Sequence, residues 1–162
     1  MRRGLALAVV ALLAGCGGGK PAATTSTTAQ EPHPKGTQAL YQAPDWQVVV
    51  AHGPKAEVLH RVKGKWVVDT SHAVKIGILG PKPGKLAPNP PQVAITMHSK
   101  TPLVESGLWV DGHELLEKGG GTPTNGTIYG APSKLSKGTH TAVGYARTAS
   151  GGTAVAWTFT IS

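Results

Sequence analysis

The chain has 162 residues, 16 basic against 8 acidic for a formal charge of +8, and a single cysteine. One cysteine excludes an intrachain disulfide, so stability has to come from a packed core in one domain, with room for a small extra module. A basic excess points to nucleic acid or to anionic surfaces, but the lysines are dispersed, mostly beside glycine or proline, and no helix carries a basic stripe. The excess reads as solvated surface, with no nucleic-acid partner.

The N-terminus comes first. Met1-Arg2-Arg3 is a positive start, Leu5 to Leu13 is an uncharged apolar run, and Leu13-Ala14-Gly15-Cys16 closes it. Charged, apolar and small-residue regions in that order make a secretory signal. Nine apolar residues are too few to cross a bilayer, which takes about 20 in a helix. The Leu13-Ala14-Gly15-Cys16 ending resembles the lipobox of bacterial lipoproteins. The resemblance implies a signal peptide at 1–15, removed before Cys16. Cys16 is then acylated (palmitate and related chains) and becomes the mature N-terminus. The protein is exported and held by lipid on the extracytoplasmic side of the cell membrane. Each buried methylene contributes ~0.8 kcal/mol, so two or more acyl chains anchor stably where one is marginal. With Cys16 lipidated, a thiol nucleophile and a thiolate metal site are both excluded. The mature chain keeps 14 basic and 8 acidic residues, a net charge of +6.

Residues 16–36 form the next segment. Gly17 to Thr28 is low in complexity, without periodicity or aromatics, and cannot bury enough apolar surface to offset its ordering entropy. It reads as a disordered tether of about 20 residues with an r.m.s. span of roughly 25 Å. Residues 37–76 are dense in strand signals. Trp46 to Val50 is one run, ended by His52-Gly53-Pro54, and Ala56 to Val62 is a second. Lys63-Gly64-Lys65 is a tight turn, and Trp66 to Asp69 is the return strand. His72 to Leu79 is a candidate fourth. This is a short antiparallel β-meander, and since a lone hairpin is marginal it should pack on the C-terminal strands.

Residues 77–162 carry short strands at regular spacing: Gln92 to His98, Gly107 to Val110, His113 to Leu116, Thr127 to Gly130, Thr139 to Arg147 and Thr153 to Ile161. Asp111-Gly112 and Asn125-Gly126 are two-residue turn signals. No window shows helical periodicity, and strands at this spacing read as a β-sandwich. In the last strand Val155, Trp157, Phe159 and Ile161 share one face, taken as inward. Its neighbour places His140, Ala142, Gly144 and Ala146 on one face, opposite Thr141, Val143 and Tyr145. Small residues in an inward row leave space for indole rings, so Trp157 and Trp109 are both expected in the middle of the sandwich.

Leu108-Trp109-Val110-Asp111-Gly112, Leu135-Ser136-Lys137-Gly138-Thr139-His140-Thr141 and Ala156-Trp157-Thr158-Phe159-Thr160-Ile161 together resemble the bacterial immunoglobulin-like modules of surface proteins. That resemblance implies an all-β, immunoglobulin-like β-sandwich over 77–162. It says little of function, because such modules serve adhesion, spacing and scaffolding alike. His140 stands where many immunoglobulin folds put a corner tyrosine whose polar tip bonds nearby backbone. A second similarity is to the immunoglobulin-like bacterial copper-resistance proteins, in which an Asp-Gly-His motif ligates Cu(II). Here Asp111-Gly112-His113 lies far from the place before the final strand where that family has it. A lipidated Cys16 also stands where that family has an N-terminal histidine. Asp111-Gly112 is therefore read as a hairpin turn and His113 as the start of the return strand, with no metal ligand assigned. His98 is expected to face solvent, and His52, His60 and His72 share the meander without a short metal-ligand spacing. No Gly-x-Ser-x-Gly elbow, His-Glu-x-x-His helix or phosphate-binding loop is present. The sequence thus predicts a non-enzymatic, membrane-anchored envelope lipoprotein that needs no cofactor and binds or scaffolds an envelope protein or wall polymer. An extracytoplasmic copper-binding protein is the alternative.

Overall fold

The structure, a computed structural model, describes residues 35–51 and 53–162. The signal peptide, the lipobox Leu13, Ala14, Gly15 and Cys16, all but the end of the tether, and His52 lie outside them.

Four strands open the fold: β1 (Thr37–Gln42), β2 (Trp46–Ala51), β3 (Lys55–Val62) and β4 (Lys65–Val68), paired antiparallel in that order. Lys63 and Gly64 both have positive φ (49° and 77°), so Val62 faces Lys65 across a two-residue turn. Such turns carry the twist that adjoining strands need. β1 was not among the expected strands.

Nine strands come after them: β5 (Val74–Gly80), β6 (Leu86–Ala87), β7 (Val93–Ser99), β8 (Leu103–Val110), β9 (His113–Glu114), β10 (Lys118–Thr122), β11 (Asn125–Gly130), β12 (Gly138–Thr148) and β13 (Gly152–Ile161). They form one sheet in the order β10-β11-β7-β5 and another in the order β6-β13-β12-β8-β9. A four-stranded sheet facing one built on three long neighbouring strands, with short β6 parallel to the last strand, is the immunoglobulin-like arrangement. The described residues are all-β, as the strand spacing implied. The strand expected at His72 to Leu79 forms as β5, but it pairs with β7 in the sandwich instead of extending the meander. Its apolar face decides this: Val74 is buried in the sandwich core, and Ile76 and Ile78 pack against it.

That core gathers Val93, Ile95 and Met97 from β7, Leu108 and Val110 from β8, and Ala142 and Ala146 from β12. Trp157, Phe159 and Ile161 come from β13. The face assigned to β13 is therefore correct. Gly144 shows why its row is small. A Cβ there would lie 3.0 Å from Ile95 and 3.7 Å from the Trp157 ring. The indole Nε1 donates to the Pro81 carbonyl at 2.9 Å, which satisfies the one polar atom that the ring buries.

Trp109 departs from expectation. Alternation along β8 sends Leu108 and Val110 inward and Trp109 to the other face of the sheet. There it joins Val143 and Tyr145 in a second core with Val48 and Val58 of the meander, 2% exposed. The meander thus covers the outer face of the β13-β12-β8 sheet. The Asn125-Gly126 turn is also displaced. Thr122 pairs with Asn125, so Pro123-Thr124 makes the turn and Asn125-Gly126 belongs to β11. The Thr122 hydroxyl, accepting from the Asn125 N–H at 3.2 Å, fixes that register.

Candidate functional site

With the meander on one sheet, no described residue covers the outward face of β10-β11-β7-β5. Register places its residues in three cross-strand rows. Lys75, His98, Asn125 and Thr122 make one, and Gly77, Thr96, Thr127 and Gly120 the next. Ala94, Tyr129 and Lys118 make the third. The middle row holds nothing larger than threonine and floors a shallow trough of about 510 Å³. Three strand gaps of about 4.8 Å make it roughly 14 Å across the sheet. Among the residues lining it Lys75 and His98 are basic-type side chains and none is acidic. His98 is exposed, as expected, and its Nδ1 is hydrogen-bonded to Asn125 Oδ1.

The glycines of β10 separate packing from function. A Cβ at Gly119 would come within 2.3 Å of the Thr127 carbonyl oxygen. Gly121 has φ 156°, and a Cβ there would lie 2.0 Å from the Asn125 oxygen. Both are required by the fold. Gly120 is not: a Cβ there would meet nothing within 4 Å, and its φ lies outside the left-handed region. A glycine inside a strand is less stable than a larger residue and marks close approach of a ligand or another backbone.

A polar cluster ties the meander to the sandwich. Glu105 on β8 and Arg147 on β12 are register partners, and Arg147 Nε donates to Glu105 Oε2 at 2.6 Å. The guanidinium lies 5.4 Å from the Trp46 ring centroid, and Tyr145 O–H donates to the same carboxylate oxygen at 3.4 Å. The Tyr41 ring stacks on Tyr145 at 5.9 Å. Burial first, and then the negative Glu105, raise the pKa of both tyrosines, so both stay protonated donors. Asp69, just after β4, accepts from Gly152 N–H at 2.7 Å and from Ser71 N–H at 2.8 Å. Burial opposes ionisation of Asp69, but those two N–H groups, together with the Ser71 side chain and His60, lower its pKa. These groups lock the layers together.

At one end of the sandwich Asp111 (φ 50°) and Gly112 (φ 82°) form the expected two-residue turn, and His113 starts the return strand opposite Val110. Asp111 does more than turn the chain. Oδ2 receives His140 Nδ1 at 2.6 Å and Oδ1 accepts from Thr141 N–H at 2.9 Å. His140 reaches back with Nε2 to the Ser136 carbonyl at 2.9 Å, the backbone contact expected of a corner residue. The His60 ring lies tilted against Trp46, 5.5 Å between centroids, and His72 is exposed with φ 48°. Among the described residues, no three His, Cys, Asp or Glu side chains gather as a metal site would require. Sequence reasoning missed the trough, whose middle row appears only once four strands are in register. It also missed the Glu105–Arg147 pair, which the pairing of β8 with β12 would have exposed.

No protein-family model and no curated protein matches the chain. Among solved structures it is similar to CopC from Methylosinus trichosporium OB3b, at 15% identity over 54% of this chain and 93% of that one, with a TM-score of 0.36. It is also similar to tandem immunoglobulin domains of titin, at 7% identity over 75% of each chain, with a TM-score of 0.37.

Proposed function

We propose that this protein is a non-catalytic lipoprotein of the cell envelope, anchored through Cys16, which holds an extended anionic wall polymer in the trough on its open sheet. The observation that carries the reading is Gly120, a strand glycine that the fold does not require, in the middle of a face that no described residue covers. Flat, shallow floors suit a chain lying across strands better than a compact small molecule, which needs an enclosed pocket. Lys75 and Lys118, at diagonally opposite corners of an acid-free surface, favour negative charge along that chain. Tyr129, 39% exposed, offers a ring face to a sugar.

The test uses the full chain in detergent with polygalacturonate as the acidic polymer and dextran as the neutral one. Polygalacturonate should bind, more weakly as salt is raised, and dextran should not. A Cβ at Gly120 has nothing within 4 Å, so Gly120→Ile builds outward from the floor and should weaken binding at least tenfold at an unchanged melting temperature. Equal binding by Gly120→Ile and the parent, or no polygalacturonate binding at all, refutes the assignment.

A further inference from the structure

The His140 corner does something that its structural role alone does not demand. Both ring nitrogens face groups that can only accept: Nδ1 the Asp111 carboxylate at 2.6 Å, Nε2 the Ser136 carbonyl at 2.9 Å. A neutral imidazole carries one N–H and satisfies one of them, leaving a lone pair against the other. Only the imidazolium donates to both. We infer that the corner is a proton-dependent clasp: one bound proton on His140 joins the β8–β9 turn, the β11–β12 connection and the start of β12, and its release to solvent unfastens one of them.

The surroundings fit a charged ring. From the β8–β9 turn the ring meets Asp111, an opposite charge held in place by the Thr141 N–H. From the β11–β12 connection it meets the Ser136 carbonyl, and from β13 it meets the uncharged Phe159 ring at 5.8 Å. Asp111 is the one charged side chain among the described residues with an interaction on the ring. Its hydrogen bond raises the His140 pKa above 6.5, against burial, which lowers it. Leu135, beside Ser136, is fixed independently by paired hydrogen bonds to Asn89 at 2.8 and 2.9 Å. The acceptor therefore stays in place when the proton leaves, and the strain falls on the clasp. The sign comes from linkage. A raised folded-state pKa gives stability that is fully present below about pH 6.5 and lost as pH rises through the folded value.

Long-range proton–nitrogen NMR on the full chain reads the ring directly. The inference expects both His140 nitrogens protonated at pH 5, with a titration midpoint above 6.5. A midpoint at or below 6.5 overturns it. Melting curves at pH 6 and pH 9 give the second reading. The parent should melt lower at pH 9, and His140→Tyr, whose O–H can still donate to Ser136, should lose most of that difference. An equal pH difference in the parent and in His140→Tyr overturns the inference, because a merely structural histidine would not carry the pH dependence.

Discussion

Truncating Trp157 to alanine removes the largest side chain of the sandwich core. The ring is 3% exposed, sits among Ile95, Phe159 and the small β12 row, and gives its N–H to Pro81. Loss of its buried surface and the cavity left behind cost about 3–5 kcal/mol. The total stability of a domain this size is about 5–15 kcal/mol. The midpoint should fall by roughly 10–20 °C. Trp157→Phe divides the effect, since it keeps most of the apolar volume but leaves the Pro81 carbonyl without its donor, at about 1–3 kcal/mol. Thr158→Ala, on the opposite face, should change stability by less than about 0.5 kcal/mol. Urea unfolding followed by circular dichroism measures all three. Equal loss in Trp157→Ala and Thr158→Ala would refute the facing of β13 and with it the core.

Trp109→Ala should cost about as much as Trp157→Ala, because the ring is buried between the meander and the sandwich; hydrogen exchange should show the meander amides losing protection first. Asp69→Asn should destabilise the protein at neutral pH, with the difference shrinking as pH falls below 3.8. A lowered folded-state pKa gives stability that is present above the unfolded value of 3.8 and lost as pH falls through the folded one, so acid denaturation curves of parent and variant should converge. Cys16→Ser should shift the protein from membrane to soluble fractions or stall its processing, as read by fractionation and mass. Cu(II) titration should find weak binding that His113→Ala leaves unchanged, with an amine-blocked N-terminus so that the amine is no ligand.

Much of the fold is legible in the sequence because period-two patterning is local. The inward row of β13 comes from Val155, Trp157, Phe159 and Ile161 alone, and Asp111-Gly112 announces its turn. Trp109 is misplaced by size, although the same alternation, applied to Leu108-Trp109-Val110, sends it outward. A large aromatic goes naturally to the sandwich core, and the second core exists only because residues 46–58 fold back over β12. Asn125-Gly126 misleads for a related reason, since its turn propensity gives way to a register set by Thr122 and Ser99, whose N–H donates to the Thr124 carbonyl at 2.9 Å. The trough lies beyond sequence reasoning altogether. Gly77, Thr96, Gly120 and Thr127 are scattered along the chain and share a row only through three strand pairings. Gly119, Gly120 and Gly121 look alike until the space above each is known.

The open sheet as a binding face is the central claim, and amide chemical-shift mapping of the full chain with oligogalacturonate tests it most directly. The account predicts perturbations confined to the middle row and its flanks, at Gly77, Thr96, His98, Gly120 and Thr127, and absent from the meander. Perturbations centred on β1 to β4, or on the Leu115-Leu116 end of the sandwich, with Gly120 unmoved, would contradict it.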